Sequence, residues 1–143
     1  YEECGRLGLP IIFHCGRSGI EPESLRPYPL PRWFAGPATE FRDVQFVMGH
    51  AGARDVDMAI ELAKRHDNVW MEITGQGVTQ LDRILRELGS DRLLFGSDWP
   101  FYPLAATLAK VLLVTESQRP ARAKILRDNA ERCFAIARAT ARS

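Results

Sequence analysis

Three short apolar runs, each ending in a metal-capable or proton-transferring side chain, constrain the fold of this chain more than any other feature. The runs are LPIIFHCG at residues 9–16, FVMGHAG at 46–52 and LLFGSDWP at 93–100. In a parallel sheet such a run forms a strand buried on both faces, and ligands bind beyond the carboxyl ends of the strands. We therefore expect His14, His50 and Asp98 to converge on one edge of a parallel sheet.

The spacing of apolar residues predicts four strands that alternate with helices. Strands are expected over residues 10–14, 44–49, 69–73 and 92–95. Helices are expected over residues 54–65, 81–88, 105–115 and 121–139. Asn68 is expected to end the first of these helices in a left-handed conformation, and the last helix is expected to break near Asn129. The alternation predicts an α/β fold with a parallel sheet and right-handed crossovers.

Two stretches near the amino terminus depart from this alternation. Residues 1–8 read as the last turns of a helix that ends at Gly8, and we expect from this helix end that the chain was cut from a longer one. Residues 16–37 hold five of the nine prolines, which exclude a long helix before about Arg32. A short helix is expected over 33–41. A loop this long is uncommon in a compact domain unless it serves a site.

Composition predicts one globular domain over residues 1–143. Hydrophobic residues make up 45% of the chain, enough for its own core. The 19 Lys and Arg against 18 Asp and Glu argue against a nucleic-acid or polybasic membrane surface. No apolar run approaches the roughly 20 residues of a membrane span. Three widely spaced cysteines without a CxxC pair are typical of free thiols, so a cytoplasmic location is expected.

The three strand-end side chains have the chemistry of a divalent-metal site. Imidazole and carboxylate groups are ligands for zinc and similar ions, and a second histidine held nearby can move protons. Each residue also has an ordinary interpretation: His14 as a satisfied core histidine, His50 as an incidental turn residue, and Asp98 as a helix N-cap. The N-cap interpretation requires helical geometry at Trp99, which the following proline disfavours.

Two further polar residues, Glu72 and His66, each allow more than one interpretation. Glu72 lies on the third predicted strand, where alternate side chains point into a barrel, and it is a candidate for contact with substrate or with the residues around it. The competing interpretation of Glu72 is a solvated or salt-bridged strand residue. His66 lies at the end of a helix beside Arg65 and Asp67, where the helix dipole favours a solvated, cationic imidazole.

These motifs, together with ILRDNAERCF at residues 125–134, resemble the amidohydrolase-related family, in the branch that includes aminocarboxymuconate semialdehyde decarboxylase. The resemblance covers nearly the whole chain and implies a TIM-type (β/α)₈ barrel that binds one divalent metal, often zinc. It implies that the chain is a half-barrel that supplies strands five to eight.

The resemblance also implies a role for each motif residue. His14 resembles a metal ligand at the end of the fifth strand. His50 is similar to the sixth-strand histidine that acts in proton transfer or substrate activation. Asp98 resembles the eighth-strand aspartate, a metal ligand and catalytic base. Arg17 and Trp99 lie beside these motifs and are expected to contact substrate.

The chain departs from the family pattern in one large respect. The family carries an HxH pair after its first strand, and none of the three histidines here forms that pair. A complete barrel of this type needs about 250 residues, so roughly half is absent. Two metal ligands without the pair are expected to bind metal weakly.

The leading functional hypothesis is a metal-dependent hydrolase that acts on a small carboxylic or cyclic substrate. A non-oxidative decarboxylase of the same family is the first alternative. A second alternative is a non-catalytic half-barrel that binds a partner or assembles with itself, because four open strands leave two unpaired edges. A phosphoryl-transfer enzyme with Asp98 as nucleophile ranks below these, since the chain has no GxxxxGK[ST] loop.

Overall fold

The computed structural model describes the backbone of residues 1–140 and the side chains of residues 1–134. The strands are β1 (Ile11–His14), β2 (Phe46–Gly49), β3 (Val69–Glu72) and β4 (Leu93–Leu94). The helices are α1 (Glu2–Leu7), α2 (Ala35–Glu40), α3 (Val56–Arg65), α4 (Val78–Leu88), α5 (Leu104–Val114), α6 (Arg119–Ala123) and α7 (Asn129–Thr140). Short 3₁₀ turns cover Glu23–Leu25, Pro31–Phe34 and His50–Asp55, and a π-helical turn covers Lys124–Asp128.

The four strands form one parallel sheet in the order β1-β2-β3-β4. The register places Phe13 beside Met48 and His14 beside Gly49. Because every strand runs in the same direction, their carboxyl ends share one edge, and the loops that follow them meet there. This part of the expected α/β architecture is confirmed. None of the helices that the structure describes is long and apolar enough to cross a membrane.

One face of the sheet packs against helices and forms the main core. We call it the helix-packed face. Its strand side chains include Phe46, Met48, Met71 and Leu93, all at most 1% exposed. They pack among buried residues of the surrounding helices, including Ile60, Ile84, Val111 and Ile125. Burial of apolar side chains at this density supplies most of the folding free energy of such a domain.

The opposite face, which we call the open face, is covered much less. It carries Ile12, Val47, Trp70 and Leu94, with His14 and Glu72 toward its carboxyl edge. The beginning of α7 covers part of it, where Cys133 packs with Val47, Trp70 and Leu94. Ile12 remains 59% exposed. The alternation of side chains along each strand therefore separates a packed surface from a surface that is available to other groups.

The predicted elements agree with the observed ones to within a few residues. Gly8 ends α1 with a φ of 63°, as expected. The carboxyl-terminal helix is interrupted by the π-helical turn that ends at Asp128, close to the predicted break at Asn129. The expectation for Asn68 is wrong, because its backbone is not left-handed. Instead, its side-chain amide donates hydrogen bonds to carbonyl oxygens of the segment before β2, at 3.1–3.2 Å.

Candidate active site

A cavity of about 530 Å³ opens at the carboxyl edge of the sheet. It is lined by all three candidate catalytic or metal-binding residues, His14, His50 and Asp98. The rings of His14 and His50 lie 4.9 Å apart between centroids, at an angle of 64°. Asp98 reaches the same cavity from the loop after β4. The other lining residues are Ser18, Ile20, Ala53, Arg54, Gly75, Gln76, Phe101 and Tyr102. The structure thus brings together the two histidines and the aspartate that the strand-end motifs indicated.

The backbone around His50 has an uncommon conformation. Four successive residues after β2 have positive φ: His50 at 59°, Ala51 at 47°, Gly52 at 82° and Ala53 at 45°. Positive φ costs an L-residue about 1 kcal/mol or more, so the surrounding contacts must hold this segment in place. Residues in such a conformation cluster at functional sites.

Two side chains hold the His50 backbone from opposite sides. A Glu72 carboxylate oxygen, Oε2, accepts a hydrogen bond from the His50 N–H at 3.1 Å. The Gln76 side-chain amide donates to the carbonyl oxygens of His50 at 2.7 Å and of Ala53 at 3.1 Å. Lys110 donates in turn to the Gln76 carbonyl oxygen at 2.8 Å. Together these contacts determine where the His50 imidazole enters the cavity.

The second oxygen of the Glu72 carboxylate is also engaged. Oε1 accepts a hydrogen bond from the Thr74 N–H at 2.6 Å and another from the Thr74 hydroxyl. Glu72 does not line the cavity, and its carboxylate contacts the backbone of His50, which does. Its sequence-based role as a residue close to the site remains a prediction, and the observed contacts favour support of His50 over contact with substrate.

The loops after β1 and β2 approach each other closely at Gly16 and Gly52. Gly16 has a φ of 86°, and a side chain at this position would collide with the carbonyl oxygen of Gly52. Gly52 also has positive φ and lies against the Ala59 side chain of α3. Glycine is therefore required at this junction by both the backbone conformation and the space.

Arg17 forms an ion pair with Asp55 and does not line the histidine cavity. The Arg17 N–H donates to Asp55 Oδ2 at 2.8 Å, and its side-chain Nε donates to the same oxygen at 3.0 Å. Hydrogen bonding to the Arg17 side chain lowers the pKa of the buried Asp55 carboxyl below its usual range. Arg17 lines a neighbouring cavity of about 470 Å³ with Gly19, Glu21, Arg26 and Arg54. Its expected contact with substrate remains a prediction.

The loop after β4 presents Asp98 in a left-handed conformation, with a φ of 52°. The Asp98 carbonyl oxygen accepts a hydrogen bond from the Phe101 N–H at 2.8 Å, which closes the turn. Trp99 is 74% exposed and does not line the cavity. Its expected contact with substrate remains a prediction. Phe101 and Tyr102 form the aromatic part of the cavity wall instead.

Sequence reasoning missed Gln76, Lys110 and Arg54. Gln76 follows the end of β3 by four residues, so a strand-end search that included amides could have found it. Lys110 lies on α5, far along the chain, and only the fold brings it to Gln76. Burial lowers the pKa of the Lys110 ammonium, although the nearby Glu72 carboxylate opposes that shift.

The cavity residues offer the right types of donor atom for a divalent metal, but too few of them to hold one. Imidazole nitrogens and carboxylate oxygens are suitable donors for zinc and manganese. Among the described residues, however, no three His, Cys, Asp or Glu side chains lie in an arrangement that could hold a metal ion. A catalytic zinc ion usually has three protein ligands. A metal bound at His14 and Asp98 would therefore need ligands beyond those that this part of the chain brings together.

A parallel α/β sheet with polar residues gathered at its carboxyl edge is the arrangement found in part of a (β/α) barrel enzyme. Comparison of the sequence with protein-family models agrees with this class. The family described as amidohydrolase matches residues 1–136. The chain belongs to the amidohydrolase family. A search of curated protein sequences finds no match.

Solved structures with the same fold include barrel enzymes. An uncharacterized TIM-barrel protein from Bordetella bronchiseptica shares 26% identity with a TM-score of 0.73, over 96% of this chain and 49% of that protein. A dihydroxybenzoic acid decarboxylase from Polaromonas sp. JS666, with bound manganese and the inhibitor 2-nitroresorcinol, shares 18% identity with a TM-score of 0.66, over 94% of this chain and 52% of that enzyme.

An amidohydrolase from Burkholderia multivorans with bound zinc shares 21% identity with a TM-score of 0.61, over 73% of this chain and 49% of that enzyme. Relatives in fold therefore include metal-binding proteins, with different metals. The chain spans about half the length of the structures that it matches.

Proposed function

We propose that this chain carries part of the active site of a metal-dependent hydrolase of the amidohydrolase family, which acts on a small carboxylic or cyclic substrate. One observation carries the proposal: His14, His50 and Asp98 line a single cavity at the carboxyl edge of a parallel sheet. In barrel enzymes the catalytic groups lie at this edge. We further propose that the chain supplies strands five to eight of the barrel and forms one domain over residues 1–143.

In the proposed site, His14 and Asp98 would hold a divalent metal, for which we propose zinc, together with ligands from outside this part of the chain. A bound divalent metal polarises a substrate oxygen as a Lewis acid. The His50 imidazole faces the same cavity and would accept or donate a proton at the reacting group. Glu72 and Gln76 orient His50 through its backbone N–H and carbonyl oxygen.

A non-oxidative decarboxylase is the second candidate. The Polaromonas structure is named as a dihydroxybenzoic acid decarboxylase, and the cavity wall here includes Phe101 and Tyr102, which suit an aromatic ring. In this reaction His50 or Asp98 would deliver the proton that replaces the departing carboxyl group. The two candidate reactions use the same cavity and differ in the bond that is cleaved.

The test uses the native protein that contains this chain, purified and treated with a chelator, then restored with zinc or manganese. A panel of cyclic amides, lactones and hydroxybenzoates distinguishes hydrolysis from release of carbon dioxide. We expect activity to disappear with the metal and to return when it is added. Activity that survives metal removal would contradict the proposal.

Substitution of the cavity residues provides the second part of the test. We expect His50→Asn to lower kcat by about 10²- to 10⁴-fold, the usual contribution of a proton-transfer group. Asp98→Asn should lower activity at least as far, because it also removes a proposed metal ligand. His66→Asn is the matched control, because His66 follows α3 and does not line the histidine cavity. Equal losses in all three variants would point to a general structural effect and not to chemistry.

Self-assembly is a further candidate, and the exposed Ile12 on the open face favours it. Size-exclusion chromatography with light scattering tests it, and a monomer at high concentration would contradict it. We also propose a cytoplasmic enzyme that binds neither nucleic acid nor membranes. The three cysteines, all free thiols in this structure, support the cytoplasmic proposal.

A further inference from the structure

β4 is the shortest of the four strands, and it leads directly to Asp98. Its two residues, Leu93 and Leu94, pair with β3 on one side. On that side the carbonyl oxygens of Arg92 and Leu94 accept hydrogen bonds at 3.0 Å from N–H groups in and directly after β3. Backbone groups alternate between the two sides of a strand, so the Leu93 carbonyl oxygen and the Phe95 N–H point away from β3 and need other partners.

The π-helical turn and the first residue of α7 supply these partners. The Ile125 carbonyl oxygen accepts a hydrogen bond from the Phe95 N–H at 3.1 Å. The side-chain amide of Asn129 donates to the Ser90 carbonyl oxygen at 2.6 Å and to the Leu93 carbonyl oxygen at 2.7 Å. Both Ile125 and Asn129 are buried. The carboxyl-terminal segment therefore holds β4 at both of its ends.

The nitrogen and the oxygen of the Asn129 amide both have partners. Its nitrogen donates to the two carbonyl oxygens, and its Oδ1 accepts a hydrogen bond from Arg132 Nη2 at 3.3 Å. Arg132 also donates to the Asp91 carbonyl oxygen, and its guanidinium lies 5.1 Å from the centroid of the Trp70 ring. An asparagine amide offers two N–H donors together with an acceptor, so a serine or leucine side chain cannot replace all of these contacts.

The chain between β4 and Asp98 has little freedom to move. Gly96 passes so close to the Glu72 carboxylate that a side chain at this position would collide with it. The turn at Asp98, where φ is 52°, is closed by the hydrogen bond from the Phe101 N–H. Only two residues separate Phe95 from Asp98. A shift of the Phe95 backbone would therefore move the Asp98 carboxylate.

From these contacts we propose that Asn129 is a positioning residue for Asp98: with the π-helical turn it fixes β4, and it thereby determines where the Asp98 carboxylate enters the histidine cavity. A π-helical turn within a helical segment is uncommon and frequently lies near a functional site. Here the turn presents the Ile125 carbonyl oxygen to the end of β4. This inference rests on the proposed function, since it takes Asp98 as a metal-binding or proton-transferring group.

Zinc binding by the native protein tests the inference without turnover. Competition with a fluorescent chelator measures the zinc affinity of the wild type, Asn129→Ser and Asn68→Ser. Asn68→Ser is the matched control, because the buried Asn68 amide also donates to backbone carbonyl oxygens, but to those of the segment before β2. We expect Asn129→Ser to weaken zinc binding by about tenfold or more, as the loss of a group that orients a metal ligand predicts. Asn68→Ser should bind zinc within about twofold of the wild type, while urea unfolding shows a similar loss of stability in both variants.

A double variant separates positioning from general destabilisation. Asp98→Asn removes the carboxylate itself, so Asn129→Ser should weaken zinc binding no further in that background. Asn129→Gln keeps both N–H donors on a longer side chain and should retain part of the zinc affinity. Arg132→Met, at an exposed position, removes the guanidinium that holds Asn129 Oδ1 and should cause a smaller loss of zinc affinity.

Three results would overturn the inference: zinc affinity of Asn129→Ser within about twofold of the wild type, equal losses in Asn129→Ser and Asn68→Ser, or a further loss from Asn129→Ser in the Asp98→Asn background. If Asn129→Ser does not fold, unchanged zinc affinity in Arg132→Met would overturn it. Failure of the proposed function looks different, because it appears in the wild type as activity that survives metal removal. The variant results reject the role of Asn129 alone, since wild-type activity would still depend on metal.

Discussion

The helix-packed face and the open face of the sheet come from the same four strands but differ in composition and in contacts. On the helix-packed face Phe46 and Met48 are 0% exposed and contact apolar side chains of the helices. On the open face Ile12 is 59% exposed, and Glu72 binds backbone groups near the cavity. Side chains on the two faces therefore differ in their contacts: one set packs in the apolar core, and on the other face Glu72 holds the backbone at the edge of the cavity.

This comparison predicts that stability and activity can be changed separately. Substitutions on the helix-packed face should lower the free energy of unfolding, because they remove buried apolar contacts. Substitutions near the carboxyl edge of the open face should alter catalysis at a smaller cost in stability. The following predictions test this division in order of decreasing effect.

The largest effect is expected from Phe46→Ala. It removes a fully buried ring from the helix-packed face and should lower the free energy of unfolding by about 3–5 kcal/mol. Ile12→Ala is the matched substitution on the open face: a cost below about 1 kcal/mol is expected where that face stays uncovered, and about 2–5 kcal/mol where the rest of a barrel covers it. Urea unfolding of the native protein measures both values. Similar losses would mean that the open face is buried against another part of the protein.

Glu72→Gln should affect catalysis more than stability. The glutamine side chain keeps one acceptor oxygen, so it cannot accept from both His50 and Thr74 as the carboxylate does. We expect kcat to fall about 10- to 100-fold, because a displaced imidazole loses its alignment with substrate, while KM changes little. Glu116→Gln, an exposed carboxylate, is the control. A change in KM alone would instead indicate direct contact between Glu72 and substrate.

Gln76→Ala should have an intermediate effect on stability. It leaves the carbonyl oxygens of His50 and Ala53 without the amide that binds them, which should cost about 1–3 kcal/mol. The helix residue Gln80→Ala is the control, because its side chain makes no comparable contact with the described residues. Urea unfolding gives the free energies, and pH–rate profiles report whether the His50 environment has changed. An unchanged stability would show that water replaces the amide at both carbonyl oxygens.

The smallest effect is expected from protonation of Asp55. Its pKa is lower in the folded protein because Arg17 donates hydrogen bonds to the carboxylate. A carboxyl group with a depressed folded pKa contributes stability above its unfolded pKa, near 4, and this contribution is lost as pH falls through the folded pKa. Thermal unfolding between about pH 6 and pH 2 should show this loss, and Asp55→Asn should lack it. The same acid dependence in Asp55→Asn would assign the effect to other carboxyl groups.

The sequence predicted the framework well because the strands and helices depend on local patterns. The runs that end at His14 and His50 are short, apolar and followed by glycine, and both form strands as expected. Asn68 shows the limit, since its neighbours suggested a left-handed helix end. Its amide binds carbonyl oxygens more than 20 residues away, and no local pattern records that distance.

The residues of the candidate site also differ in whether the sequence alone could identify them. His14, His50 and Asp98 could be identified because each follows an apolar strand, and the fold brings them to one cavity. Gln76 also follows a strand end, but a search for imidazole and carboxylate groups passes over its amide. Lys110 could not be assigned in this way, because it lies on a helix and its importance comes from a contact with the backbone of another loop. The position of Arg17 beside the His14 motif makes it a candidate, and only the structure shows that its side chain is paired with Asp55.

The contact between Gly16 and Gly52 has a consequence for protein engineering. Because the two loops touch through backbone atoms, a side chain at the Gly16 position has no room while the Gly52 carbonyl oxygen stays in place. Loop exchange between relatives should therefore succeed only when both loops are transferred together. A library that varies one loop alone should return clones that retain glycine at the junction. The two loops behave as one exchangeable module, even though a strand and more than 30 residues of sequence separate them.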